Sequence, residues 1–152
     1  MTPTQVDLIR SSWSQVEPIQ ELAATLFYGR LFELDPALKS LFSRTDMAAQ
    51  GKVLMQTLTV VVKTLDKIDA LLPAVEALGR RHAGYGVNPA DFDTVGAALL
   101  WTLEQGLGAA FTPDVRDAWS LAYTTLATVM INAGSAADVP ALARGAAVSA
   151  PA

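Results

Sequence analysis

Apolar residues in this chain recur every three to four positions rather than every second one. Gln50, Leu54, Leu58, Val61 and Leu65 share one face of a predicted helix over 47–65. Leu71, Val75, Leu78 and His82 share one face of the next, which starts at 71 or 72 and runs to 83. Thr2-Pro3-Thr4-Gln5 sets a Thr cap before a Pro and a Gln, so a first helix begins near Pro3, and Pro18 ends or kinks it. A second helix is expected over 20–33 and a short one after Asp35-Pro36, followed by a polar connector over 43–46. Lys67-Ile68-Asp69 reads as a turn, and Gly84 and Gly86 stop the helix that carries His82. Asn88-Pro89 and Thr112-Pro113-Asp114 open two long apolar helices, 91–107 and 113–133, separated by Gly106 and Gly108. There are no alternating runs and no Asn-Gly or Asp-Gly turns, so the fold class is all-α, with about seven to eight helices. Residues 134–152 hold eight Ala with scattered Gly, Ser and Pro. They read as a disordered tail with at most a weak turn over 139–144, after a folded domain over 1–133.

Composition removes several classes of function. The 152 residues are 51% hydrophobic and 17% charged, which suits one domain with a large core. A net charge of −4 offers no basic stripe for a nucleic acid. Apolar runs such as Val60-Val61-Val62 fall far short of the roughly 20 residues that a bilayer requires. The N-terminus lacks the basic start and apolar stretch of a signal peptide, so a cytoplasmic location is expected. Cysteine is absent and His82 is the single histidine. A zinc site of His and Cys ligands, a Cys-His catalytic pair and a cysteine-held iron-sulfur cluster are therefore excluded. What survives is a cofactor that brings most of its own ligands. Haem is the obvious case, needing one axial imidazole. Read alone, a histidine on an apolar helical face is more often a satisfied core residue than a ligand.

Its neighbours in register alter that balance. Trp13, the run Phe27-Tyr28-Gly29-Arg30-Leu31-Phe32, Pro36, Phe42, Gln50 with Leu54, and His82 follow one another in the order of globin landmarks. Over residues 6–133 the sequence resembles the globin family, most closely bacterial single-domain globins and the globin domain of flavohaemoglobins. The resemblance implies a globin fold around a haem b pocket, with His82 as the proximal axial ligand of the iron. Tyr28 and Gln50 become the distal pair that stabilises a bound gas; Gln50 stands 82 − 50 = 32 residues before His82. The Gln50 assignment depends on the length of the connector after Phe42. The alternatives are a core aromatic for Tyr28 and a solvated helix residue for Gln50. Phe42, Leu54, Leu78, Val87, Leu99 and Met130 become haem-wall residues, for which ordinary core gives the same signal. Arg81, Lys52 and Arg44 are the candidates to pair with a haem propionate, the alternative being a solvated surface charge.

One departure stands out. In the flavohaemoglobin group a Tyr and a Glu hydrogen-bond near the proximal histidine, and the aligned positions here are Phe92 and Gly134. Neither side chain can donate or accept, so a backbone carbonyl is expected to hold the second ring nitrogen of His82. The resemblance implies reversible binding of O2, CO and NO at a pentacoordinate ferrous iron, for oxygen binding or transport, with no catalytic residue as such. The alternative is an enzyme, an NO dioxygenase supplied by an external reductase, since no residues are left for a reductase half. A haem-based signalling role finds no residues for an output domain. A monomer or weak homodimer is expected. One conclusion needs only the histidine count: a second axial histidine cannot come from within one chain.

Overall fold

The computed structural model describes residues 1–136 and contains six α-helices, four short 3₁₀ segments and, among the described residues, no strand. The helices are α1 (Pro3–Val16), α2 (Gln20–Leu34), α3 (Met47–Lys63), α4 (Ile68–Gly84), α5 (Pro89–Leu107) and α6 (Pro113–Ala136). Six is fewer than the seven to eight expected, because the segment after Pro36 is a 3₁₀ helix, Pro36–Phe42.

The start signals act through hydrogen bonds. Thr2 and Gln5 form a reciprocal capping box, with the Gln5 amide on the Thr2 hydroxyl at 3.2 Å and the Thr2 amide on Gln5 Oε1 at 2.9 Å. Asp46, the last residue of the polar connector, accepts from the amides of Ala48 and Ala49 and so fixes where α3 begins. That start places Gln50 and Leu54. Asn88 is capped in return by Asp91, at 2.9 Å.

Two boundaries depart from expectation. α4 begins at Ile68, not at 71 or 72, and runs through Pro73. Pro73 lies early in the helix and is exposed, so the Asp69 carbonyl that it leaves without an amide donor can turn to water. α6 continues past 133 to Ala136, so Gly134 is helical. The rest of the expected tail lies outside the described residues.

α4 packs most extensively on α6, α2 on α5, and α1 runs against α6. Trp13 and Trp119 meet at the α1–α6 contact with ring centroids 5.9 Å apart. Each indole N–H is satisfied: Trp13 donates to Thr59 Oγ1 at 3.0 Å and Trp119 to the buried Ser12 Oγ at 2.9 Å. Arg10 ties α1 to the end of α3, donating to the carbonyls of Val62 and Lys63 and to Asp66. Ser12→Ala strips Trp119 of its acceptor in the core. It should lower stability by about 1–3 kcal/mol, read as a lower denaturation midpoint at unchanged slope; an unchanged midpoint would show that the indole finds another partner.

Candidate functional site

The interior of the bundle holds one large, almost wholly apolar cavity, walled by side chains from all six helices. His82, Tyr28, Phe42, Leu54, Leu78 and Val87 all line it, as do Leu99 and Met130. Eight positions scattered from 28 to 130 in the sequence thus face one space.

His82 is buried, 7% exposed, on the inner face of α4. Its Nδ1 lies 2.8 Å from the carbonyl oxygen of Leu78, one turn earlier. A carbonyl can only accept, so the proton of the neutral ring sits on Nδ1. The nitrogen with a lone pair to offer a metal is then Nε2. The expected backbone partner is therefore present and comes from within the same helix. Phe92 stands beside the ring, with centroids 6.3 Å apart. Gly134 lies behind it in α6, where an added Cβ would come within 3.0 Å of Ala83 Cβ and 3.2 Å of the Gly79 carbonyl. A side chain at Gly134 would make α4 or α6 give way by a few tenths of an ångström.

Tyr28 and Gln50 are both buried, each 7% exposed, and they touch: Gln50 Nε2 donates to the Tyr28 hydroxyl at 3.2 Å. A phenol that accepts at its oxygen still has its own proton to donate. Phe27 and Phe42 meet the Tyr28 ring edge-on, at 5.0 and 5.4 Å between centroids, and limit its rotation. Gln50 reaches Tyr28 because α2 and α3 cross closely at the next residue. A Cβ on Gly51 would lie 2.9 Å from that of Ala24.

Arg81, Lys52 and Arg44 are exposed and are not among the residues that line the cavity. Tyr123 is a lining residue that the sequence reading passed over. Its ring packs on Gly96, and its hydroxyl donates to the Phe92 carbonyl. The spacing of Trp119, Tyr123, Leu126 and Met130 on α6 carried the signal for it.

The donor set suits haem. One imidazole with a defined tautomer faces carbon walls, which is what a flat, mostly apolar macrocycle with four nitrogens of its own requires. Among the described residues no group of three or more His, Asp or Glu could hold a bare metal ion instead.

Burial pushes the Tyr28 phenol up to about 12, and the Gln50 hydrogen bond opposes part of that rise. Tyr123 is raised as well, by burial first and then by the Asp93 carboxylate. In the fold both stay protonated, whereas in the unfolded chain they ionise near pH 10. Their contribution to stability is therefore whole below pH 10 and falls as pH rises through the folded values. For Tyr28 the loss from its ordinary value of 10.0 to about 12 amounts to about 3 kcal/mol. Unfolding midpoints measured between pH 9 and 12 should decline, and Tyr28→Phe should flatten the decline; parallel curves would contradict the assignment.

The family model named Globin matches residues 25–130, more than half of the chain. Among curated proteins, the flavohemoprotein of Vibrio cholerae serotype O1 is 31% identical over 134 residues, covering 87% of this chain and 34% of the relative. Neuroglobin of Danio rerio is 32% identical over 136 residues, covering 81% of this chain and 86% of the relative. The flavohemoprotein of Bacillus subtilis is 28% identical over 128 residues, with 83% of this chain and 32% of the relative aligned. The chain thus spans about a third of the flavohemoproteins and most of the length of neuroglobin.

Proposed function

The chain belongs to the globin family, whose members bind haem and diatomic gases, and from that premise we propose that it binds O2 reversibly at a haem b held by His82, in oxygen binding or transport, with CO and NO as competing ligands. The observation that carries this reading is that Tyr28, held by buried Gln50, lines the same cavity as His82.

Haem, when bound, would supply an iron able to take up a diatomic gas, and His82 would hold it. The residues supply everything else. His82 offers Nε2 because Leu78 holds Nδ1. Tyr28, protonated up to about pH 12, presents an O–H that never leaves as a proton under physiological conditions. Gln50 holds the phenol oxygen and steers that O–H. Phe42, Leu54 and Leu78 keep water away, so each polar contact made inside is strong. Arg81, exposed beside His82, is the proposed partner of a propionate, with Lys52 and Arg44 as alternatives. No helix among the described residues is long and apolar enough to cross a membrane, and we assign the protein to the cytoplasm as a monomer or weak homodimer.

His82→Ala should abolish stoichiometric haem uptake, seen as loss of the Soret band; full retention would sink the assignment. Removing the Tyr28 hydroxyl should remove roughly 1–3 kcal/mol of stabilisation from O2, or about a five- to 150-fold faster release, and less from the weakly polar CO. Equal changes in the two off-rates for Tyr28→Phe would mean that Tyr28 does not touch the ligand.

The resemblance to two flavohemoproteins supports a second reading, an NO dioxygenase fed by an external reductase. Tyr28 and Gln50 serve it equally well, whereas Phe92 and Gly134 give His82 no polar side-chain partner. Sustained consumption of NO with NAD(P)H and a reductase, well above the rate of autoxidation, would favour the enzyme. Stoichiometric consumption alone leaves gas binding as the function.

A further inference from the structure

α4 and α6 approach each other backbone to backbone, three residues before His82. A Cβ added to Gly79 would lie against the carbonyl oxygen of Met130, 2.5 Å from its Cα and 2.8 Å from its carbonyl carbon. No rotamer change can relieve that overlap, because every one of these atoms is main chain. One turn further along α6, Gly134 repeats the contact against Ala83 and the Gly79 carbonyl. The two glycines therefore bracket His82 from behind. Met130 presents its backbone to Gly79 while its side chain lines the cavity that His82 lines.

We propose that Gly79 is a positioning residue: its contact with the Met130 backbone sets how far the His82 imidazole stands into the cavity. The ring is rigidly coupled to this contact. Its Nδ1 is tied to Leu78 of the same helix, so it moves with α4 rather than swinging on its own side-chain bonds. Adding one methyl group at Gly79 forces α4 away from α6, and the imidazole goes with it. Alanine is otherwise the better helix former, so Gly79→Ala should strengthen the helix locally and displace it globally.

The inference rests on the reading of His82 as haem ligand, and its test separates the two. The ferrous haem-loaded full chain is examined by resonance Raman spectroscopy for its iron–histidine stretching band. Absence of any such band in the parent would overturn the ligand reading itself. With the band present, Gly79→Ala should shift it and change the CO association rate. Gly134→Ala should shift it less, because there the nearest atom is the Ala83 methyl, and Ala83→Gly added to Gly134→Ala should return it toward the parent position. Met130→Ala should not rescue Gly79→Ala, since the contact is with backbone. Ser12→Ala, destabilised at the distant α1–α6 contact, should leave the band in place. Should Gly79→Ala fail to fold, the Gly134→Ala and Ala83→Gly pair decides alone. An unmoved band in the glycine variants, or an equal shift in Ser12→Ala, would overturn the proposal.

Discussion

A single hydrogen bond, 2.8 Å long, from the His82 ring to the Leu78 carbonyl gives this interior its direction. A neutral imidazole can present either nitrogen, and the hydrogen bond made by one decides which is offered. The carbonyl chooses. It belongs to the same helix, four residues back, so it also sits in the i to i−4 ladder that makes α4 a helix. Tautomer, ring orientation and helix geometry become one property. A carboxylate in the same place would pull harder on the ring proton and make the opposite nitrogen more basic. The neutral carbonyl does so mildly, which fits a binding site better than a site tuned for strong electron donation.

Much of this was legible from residue order. The helical stripes on α3 and α4, the Thr2 and Asn88 caps and the proline at Pro18 act through local chemistry, and local chemistry leaves a sequence trace. The aromatic cluster around Tyr28 was legible because aromatic side chains are rare and their order along the chain is distinctive. The close crossings at Gly51 and Gly79 were not legible. A glycine inside a helical pattern reads as a weak spot, and what it permits is visible only when the facing backbone is in place. The Trp119–Ser12 bond joins residues 107 apart, and nothing in either neighbourhood announces the other. The start of α4 was hidden because Lys67-Ile68-Asp69 reads as a turn, and Pro73 is tolerated because the carbonyl that it strips lies at an exposed helix start. The extension of α6 to Ala136 was hidden by Gly134, a residue that marks helix ends far more often than helix contacts.

Phe92 and Gly134 both lie close to the helix segment that carries His82. A side chain at Gly134 would crowd Ala83 and the Gly79 carbonyl, and the Phe92 backbone carbonyl accepts from the Tyr123 hydroxyl. The region behind His82 is thus built on close main-chain contacts. Among the buried polar side chains, Gln50 and Tyr28 are linked so that neither acts alone.

The solitary imidazole has one more consequence. In most proteins a histidine signal must be assigned among several before it can be interpreted. Here selective ¹⁵N labelling of histidine would give one pair of ring-nitrogen resonances for the whole molecule, and their shifts would report tautomer, protonation and metal coordination at a known place. The same scarcity that excludes so many chemistries makes the purified protein its own single-site probe, with no resonance assignment needed.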